Sequence, residues 1–392
     1  AAETARLNKD VLTFQKLVKA SQNLPLLDPI PAQPEVLVGV ASFFHDWVRH
    51  AADAPYWQQR TPQLDDVDLP MLHIGGWFDP YLRGDVRLFK EMARRSQCPH
   101  RFYVGPWAHI PWSRQVGDVD FGAAAINPVD RLQIQWFDAI LKGKGEGDLA
   151  ETASVSLFEM GRNQWRKLSD WPAENICDWT TYYLQSEGIS HIREDSGGLA
   201  DAVNPSSDQS SMIDIIVHDP WNPAPALGGH SSIPAGSFER SAVDARGDVL
   251  TYTSAPLPAE LRVAGVPEFL GAIAASTPSY DICAVLSRVD AEDRVFNLTQ
   301  GYRRVARPEM SAEQSISRLS VPLHPTCFSL AAGERLRLSI SAACFPAYPI
   351  NPGTGQSLSE SRLIDAQIIT VTLTVGADSG SVLKLPVMRT CA

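Results

Sequence analysis

The sequence predicts a mixed fold in which an α/β segment precedes an all-β region built as a two-sheet sandwich of the jelly-roll type. Between residues 69 and 104, two short apolar runs flank a stretch whose apolar residues have helical spacing, which is the pattern of a β-α-β unit. From about residue 152 onward, short apolar or alternating runs are separated by turn residues, and few stretches suit a long helix. With 392 residues, the chain is long enough for two or more hydrophobic cores.

Composition argues against several classes of partner. The formal net charge of −11 disfavours nucleic acid or an anionic membrane, because both require a basic surface. No apolar run approaches the roughly 20 residues that a membrane span needs, and the polar first ten residues do not resemble a signal peptide. We therefore expect a soluble protein, with the cytoplasm slightly favoured over the periplasm or secretion and the compartment left open.

The cysteines do not point to a metal site. They number six and stand far apart, at positions 98, 177, 283, 327, 344 and 391. The sequence has no CxxC pair and no Cys/His spacing that suits zinc. We expect most of them to be buried thiols, although disulfides stay possible, and we predict neither a metal nor an organic cofactor.

The first 60 residues have helical character. Two apolar groups carry this prediction, and their members are Val11, Phe14, Leu17 and Val18 in the first and Phe43, Phe44, Trp47 and Val48 in the second. Four prolines at positions 25, 29, 31 and 34 interrupt the interval between them. This region is either a pair of packed helices or the remnant of a helical cap over an active site.

The α/β segment is predicted over residues 61–150. Strands are expected at 69–74 and 101–104, with an amphipathic helix over 81–95 between them; its apolar positions are Leu82, Val86, Phe89 and Ala93. Such strands lie parallel, and chemistry in such sheets takes place just beyond their carboxyl ends. A last helix is expected between Asn127-Pro128 and Gly143, followed by a linker over 142–148.

The all-β region is predicted over residues 151–392. Strands are expected at 155–160, 213–217, 249–253, 269–274, 282–289 and 336–340. The proline-rich stretch 219–225 is expected to be an extended loop, because each proline excludes helix for the residue before it.

Two residues at the expected strand ends suggest the chemistry. Asp79 follows the first strand and His109 follows the second, which is the second half of the Ser…Asp…His order of α/β-hydrolases. In a serine hydrolase the acid holds the histidine in the correct tautomer, and the histidine takes the proton of the serine. Asp79 could also be a helix N-cap before Pro80, and the two roles are compatible.

The sequence lacks the nucleophile that this chemistry requires. The motif G-x-S-x-G does not occur, since both 39–43 (GVASF) and 229–233 (GHSSI) lack the final glycine. The α/β segment also has two or three strands where a self-sufficient sheet would have about five. We expect the serine, the first strands and most of the oxyanion hole to belong to a segment that precedes this sequence.

Several motifs are similar to those of the cocaine esterase / X-Pro dipeptidyl-peptidase group of serine hydrolases. They lie in the same order along nearly the whole chain, at 75–79 (GGWFD), 105–109 (GPWAH), 136–143 (WFDAILKG), 219–225 (DPWNPAP), 248–257 (DVLTYTSAPL), 301–303 (GYR) and 345–352 (FPAYPINP). The resemblance implies three parts: a helical cap remnant over 1–60, the C-terminal part of an α/β-hydrolase core over 61–150, and a jelly-roll, galactose-binding-like domain over 151–392.

The resemblance also assigns site residues. It implies Asp79 as the triad acid, His109 as the triad histidine and Tyr81 as an aromatic that contacts the substrate. Trp107 and Trp112 are expected to help line an acyl pocket, with core packing as the alternative. The nucleophile and the oxyanion tyrosine have no counterpart in this sequence.

The resulting hypothesis is the C-terminal portion of a serine acyl hydrolase that cleaves a small ester or amide, of the esterase, α-amino acid ester hydrolase, acylase or X-Pro peptidase type. Its partners would be the substrate, the missing N-terminal segment of the same hydrolase and, in some form, a second copy of the chain. On its own the chain would be inactive. Two alternatives stay open: a non-catalytic β-sandwich that binds carbohydrate or another ligand, and a structural β domain that covers the core and mediates oligomer contacts.

Overall fold

The structure is a computed structural model of the chain. It describes residues 1–22, 35–40, 43–50, 54–144, 154–172, 176–193, 195–201, 211–306, 316–357, 359–376 and 381–389.

Within the described part of residues 1–60 there are four short α-helices, in agreement with the predicted helical character. They are α1 (Ala2–Leu7), α2 (Val11–Ser21), α3 (Phe44–Arg49) and α4 (Pro55–Gln58). Asp10 caps α2 by accepting a hydrogen bond from the amide of Thr13. Leu17 is buried, whereas Val11, Phe43 and Trp47 are exposed. The prolines predicted to separate the two apolar groups lie outside the described residues.

A β-α-β unit follows and confirms the predicted topology. Strand β1 (Met71–Phe78) and strand β2 (His100–Ala108) pair in parallel, and helix α5 (Leu82–Arg95) connects them. Both strands extend about four residues beyond their predicted ends, because the glycines at 75–76 and 105 continue the strands instead of ending them. A Cβ at Gly76 would collide with the backbone carbonyl of Trp107, so glycine lets the two strands approach closely.

Helix α5 packs on this sheet with a slightly different face from the predicted one. Leu82, Val86 and Phe89 are buried as expected, but Ala93 is exposed and Met92 is buried in its place. Position 92 lies three residues after Phe89 and carries a long flexible side chain, which fills the space under the last turn better than alanine could.

A loop and one more helix follow β2. The loop contains the two-residue strands β3 (Gln115–Val116) and β4 (Val119–Asp120), which pair antiparallel. Helix α6 (Val129–Lys142) then runs between the predicted signals: the Asn127 side chain accepts the amide of Val129, and Gly143 ends the helix in the left-handed conformation with φ 65°.

The first sheet is extended on the β2 side by a hairpin from farther along the chain. Strand β5 (Val155–Glu159) pairs in parallel with β2, and β6 (Gln164–Leu168) pairs antiparallel with β5, so the sheet order is β1-β2-β5-β6. This sheet therefore includes strands from both sides of the boundary predicted at 150/151. The boundary lies outside the described residues, and the division into domains stays a prediction.

The remainder of the chain is rich in strands. They are β7 (Cys177–Gln185), β8 (Gly198–Ala200), β9 (Met212–His218), β10 (Val249–Ser254), β11 (Leu261–Gly265), β12 (Glu268–Ala275), β13 (Ser279–Val289), β14 (Val295–Ala306), β15 (Ser317–Pro322), β16 (Thr326–Leu330), β17 (Arg335–Ser341), β18 (Ile369–Val375) and β19 (Val382–Met388), with one short helix, α7 (Ser241–Asp244), before β10. Each of the six runs predicted as strands is a strand. The 13 strands form a continuous hydrogen-bonded system that contains the path β14-β13-β17-β10-β8-β7-β19-β12-β18-β9. The molecule is thus mixed α/β with large β-sheets.

One hydrophobic core connects the two sheets. It extends from Trp77 on β1 through Phe158 on β5 to Leu385 on β19. The Trp77 indole donates a hydrogen bond to the Phe158 carbonyl at 2.7 Å. Within the described residues all cysteines are free thiols, and four of these five are buried, as predicted.

Candidate active site

The two residues singled out by the sequence meet at the carboxyl ends of β1 and β2. His109 Nδ1 lies 3.0 Å from Asp79 Oδ2, which is hydrogen-bonding distance. The Asp79 side chain is 9% exposed and that of His109 is 56% exposed. The carboxylate is therefore held inside the protein, while the ring it contacts reaches the surface.

Asp79 also organises the start of helix α5. Its Oδ1 accepts the amide of Tyr81 at 2.9 Å, and its carbonyl accepts the amide of Leu82 at 3.2 Å. One carboxylate oxygen thus stabilises the turn while the other faces the histidine. The N-cap position of α5 is Tyr81, without a side-chain cap, so the N-cap role suggested for Asp79 is wrong, and its Oδ1 stabilises the turn that precedes the helix.

The far side of the His109 ring is open. The Tyr81 ring packs edge-on against it with centroids 5.0 Å apart, and Tyr81 is itself 63% exposed. Among the described residues, no hydroxyl or thiol lies within hydrogen-bonding distance of this ring. With Nδ1 engaged by Asp79, the Nε2 atom is the one that could take a proton from a nucleophile.

A cavity of about 730 Å³ lies beside His109. Its apolar walls come from the ends of the first sheet and from the loop before α7; they include Phe78, Pro80, Ile110, Pro111, Val116 and Pro234. Ser113, His230, Ser231 and Ser232 add polar groups. A volume of this size, mainly apolar with a few polar groups, suits a small organic molecule.

Tyr81 and Trp107, the two residues predicted to contact the substrate, differ in their exposure. Tyr81 lies at the surface next to His109. Trp107 is fully buried, its indole donates to the Ala125 carbonyl at 2.9 Å, and its ring packs near Trp112 and Trp165. It lies on β2, two residues before His109, with its side chain in the core.

Asp85 lies near enough to Asp79 and His109 to interact with their charges, and the sequence did not single it out. Burial raises its pKa to about 6, the charge of Asp79 adds to this, and His109 opposes it. Its Oδ2 lies near Gly75 of β1. The only sequence signal was an acidic residue in the first turn of the helix, which is a common and unspecific feature.

Two buried histidines from the β region also reach the site. His324 Nε2 lies 3.0 Å from the backbone carbonyl of Asp79, and the His230 ring stacks on the His324 ring with centroids 3.8 Å apart. The sequence singled out neither histidine as a site residue. A separation of 245 residues between His324 and Asp79 leaves no local pattern from which this contact could be predicted.

No metal site accompanies this arrangement. Within the ranges that the structure describes, no group of three or more His, Cys, Asp or Glu side chains is placed to hold a metal ion. The helices described there also include none that is long and apolar enough to cross a membrane.

A β-α-β unit with an acid and a histidine at neighbouring strand ends is the arrangement of the α/β class of hydrolases. Comparison with known families agrees with this class. Residues 3–111 match the X-Pro dipeptidyl-peptidase (S15) family, and residues 148–378 match the X-Pro dipeptidyl-peptidase C-terminal non-catalytic domain. The chain belongs to this family, the cocaine esterase / X-Pro dipeptidyl-peptidase (CocE/NonD) group of serine hydrolases.

The individual relatives have low sequence identity to this chain, but the similarity covers most of it. Cocaine esterase from Rhodococcus sp. is 26% identical over 357 residues, which cover 87% of this chain and 61% of that protein. Two solved structures share the fold at 20% identity, each covering 90% of this chain and 61% of the other: an aminopeptidase from a Thaumarchaeota archaeon, with a TM-score of 0.74, and an α-amino acid ester hydrolase, with a TM-score of 0.73. The chain therefore spans about three fifths of the length of these proteins.

The predicted family is thus confirmed. The alternative of a non-catalytic carbohydrate- or ligand-binding sandwich is not favoured, because the relatives are esterases and peptidases.

Proposed function

We propose that this chain is the C-terminal portion of a serine acyl hydrolase that cleaves a small ester or amide. His109 acts as the base that activates the serine and then as the acid that protonates the leaving group. Asp79 holds the His109 ring in the Nδ1–H tautomer and stabilises the imidazolium that forms. The observation that carries the proposal is the 3.0 Å contact between Asp79 Oδ2 and His109 Nδ1, with the opposite side of the ring open.

The cavity beside His109 is the proposed binding place for part of the substrate. Its apolar walls suit the carbon skeleton of an acyl or alcohol group, and Ser113 and Ser231 can satisfy a polar substituent. Tyr81 would contact the substrate from the surface side of His109. Trp107 would act by packing the end of β2 that leads to His109, since its side chain has no exposed surface.

The serine is proposed to come from a polypeptide segment outside this chain, which packs against β1. Within the described residues β1 pairs with β2 alone, so the other edge of this parallel strand is free. An unpaired strand edge presents free backbone N–H and C=O groups that another strand can pair with. Helix α6 also exposes an apolar stripe, consisting of Ile134, Phe137 and Leu141, that a further part of the hydrolase could cover.

The finer architecture belongs to the same proposal. Helices α1 to α4 would be the remnant of a cap, and the strands from β7 onward would form a jelly-roll, galactose-binding-like domain. The exposed Phe43 and Trp47 support the first assignment, because such side chains suit a surface that faces another part of the protein. The antiparallel strand pairs over 177–388 support the second.

The first test of the acid–imidazole pair needs no nucleophile. In the 392-residue chain with ¹⁵N-labelled histidine, the Nδ1–H of His109 should give a strongly downfield proton resonance, because it donates to a carboxylate. Asp79→Asn should abolish this resonance. A His109 ring in the Nε2–H tautomer would contradict the proposal.

The second test concerns turnover. The chain is produced together with the polypeptide encoded directly upstream of it, and hydrolysis of p-nitrophenyl esters and labelling by a fluorophosphonate are measured. We expect labelling of a serine in the upstream polypeptide, and a loss of turnover of about 10⁴-fold in Asp79→Asn and at least as large in His109→Ala. Full activity in either variant would refute the triad assignment.

A further inference from the structure

A short segment of the β region makes hydrogen bonds to the turn that carries Asp79. The segment comprises Pro322, the last residue of β15, and the residues that lead from there to β16, including His324. His324 Nε2 contacts the Asp79 carbonyl at 3.0 Å, and the Pro322 carbonyl accepts the Arg83 guanidinium at 2.8 Å. The Asp79–Arg83 turn is thus held at both of its ends by residues more than 200 positions away in sequence.

The contact fixes the tautomer of His324. A carbonyl oxygen can only accept, so the Nε2 atom must carry the proton and donate it. His324 Nδ1 is buried and has no hydrogen-bond partner among the described residues. It can remain unprotonated there, because a bare acceptor is easier to bury than an unpaired N–H or a charged ring.

The surroundings keep the ring neutral. Burial holds the pKa of His324 well below its usual range, and His230 and the nearby Arg83 cation lower it further. Burial and the charge of Arg83 also lower the pKa of His230, to about 3. A neutral His324 with one donor and one acceptor is the state that the hydrogen bond to Asp79 requires.

The segment itself is rigidly held. The amide of His324 donates to the Gln300 carbonyl at 2.8 Å, and its carbonyl accepts the Thr299 hydroxyl at 2.7 Å. The His230 ring covers one face of the imidazole. Backbone hydrogen bonds and the stacked His230 ring therefore hold His324 in place. Its Nε2–H can in turn hold another group in a defined position.

We propose that His324 is a positioning residue of the hydrolase, which sets the orientation of the Asp79 carboxylate by holding the Asp79 carbonyl. This inference rests on the proposed function, because it assumes that the Asp79–His109 pair is catalytic. It assigns a part in the site to the region whose family is described as non-catalytic. Displacement of a catalytic group by about 1 Å can reduce turnover about 10²-fold. A hydrogen bond that holds the backbone of the acid in place can therefore affect the rate of the reaction.

The test compares two variants of His324 in the full chain. His324→Gln retains an N–H donor at a similar distance from the backbone, whereas His324→Leu removes the donor and keeps the position apolar. The readout is the downfield Nδ1–H resonance of His109, which a merely structural residue elsewhere would not move. We expect His324→Leu to shift or broaden this resonance and His324→Gln to restore it. His218→Leu, a change of another buried histidine on edge strand β9, should leave the resonance unchanged while thermal unfolding reports any loss of stability.

The outcomes separate the two proposals. If wild-type protein lacks the His109 resonance, the Asp79–His109 pair is refuted and the inference falls with it. If the resonance is present, depends on Asp79 and is identical in His324→Leu that remains folded, only the positioning role is refuted. The ¹⁵N shifts of His324 give an independent check, since a proton on Nδ1 would overturn the assignment even if His324→Leu failed to fold.

Discussion

Asp79 uses each of its three oxygen atoms for a different contact. Oδ1 accepts the Tyr81 amide, Oδ2 faces His109, and the carbonyl oxygen faces both the Leu82 amide and His324. A side chain with both carboxylate oxygens engaged has little rotational freedom, and the backbone contacts hold its Cα in place. At the scale of the residue, the site is defined by how completely this one aspartate is held.

Asp85 leads to a prediction at the same scale. Because its pKa in the folded protein is raised to about 6, the folded protein keeps a proton that the unfolded chain loses near its ordinary value of 3.8. The free energy of unfolding should therefore fall as pH rises from about 4 to about 6. Asp85→Asn removes this effect and should stabilise the protein at pH 7.5 by at most about 3 kcal/mol.

Urea unfolding at pH 4 and pH 7.5 measures this effect. Wild type and Asp85→Asn should differ at pH 7.5 and have nearly the same stability at pH 4, where the aspartate is protonated in the folded protein and about half protonated in the unfolded chain. An equal difference at both pH values would mean that Asp85 acts through packing and not through its charge.

At the scale of the element, the close pairing of β1 and β2 depends on Gly76. The backbone of β2 at Trp107 occupies the space that a Cβ would need. The pairing register changes between Gly76 and Phe78, so the strand is already irregular where it approaches Asp79. The ends of the two strands, and hence Asp79 and His109, are brought together by the absence of a side chain at this position.

Two glycine-to-alanine changes should therefore have opposite effects on stability. Gly76→Ala should destabilise the protein by about 1–3 kcal/mol or more, because the backbone of β2 must move. Gly84→Ala, in helix α5, should stabilise it by about 0.5–1 kcal/mol, because a Cβ there meets open space and alanine favours a helix. Denaturant unfolding of both variants measures the two effects, and a neutral Gly76→Ala would show that the strands can separate without cost.

At the scale of the whole molecule, a buried ion cluster joins the two sheets. Glu159 on β5 is fully buried and bonds to Arg166 on β6 and to Arg262 on β11. The Met160 amide donates to the Cys327 carbonyl beside this cluster. The first sheet and the large β system are therefore linked by charge, by backbone hydrogen bonds and by the common core.

Glu159→Gln should weaken this junction strongly. It leaves two partly buried guanidinium groups without their carboxylate, and breaking a buried ion pair costs about 3–5 kcal/mol. Glu260→Gln is the matched control, because Glu260 pairs with Arg162 near the surface, where such a pair contributes about 1 kcal/mol or less. Equal losses in denaturant unfolding would show that the buried cluster is not a special link between the sheets.

The sequence allowed much of the fold to be predicted where the signal is local. The β-α-β unit, helix α6 with its signals at Asn127 and Gly143, and six strands of the β region follow from apolar periodicity and from turn residues. The strand ends were predicted too short because glycine usually interrupts a strand, and at Gly76 only the neighbouring backbone shows why it continues. Ala93 was placed in the core because spacing alone cannot tell it from Met92.

The sequence by itself determined the family, the α/β and all-β character of the two regions, and the two residues at the strand ends, since these depend on patterns within short stretches. Tertiary structure decided which atoms of Asp79 meet which partners, why the pKa of Asp85 is raised, and that His324 reaches the site. The physical reason is that burial, charge and hydrogen bonding between distant segments depend on distances in space, which no spacing along the chain encodes.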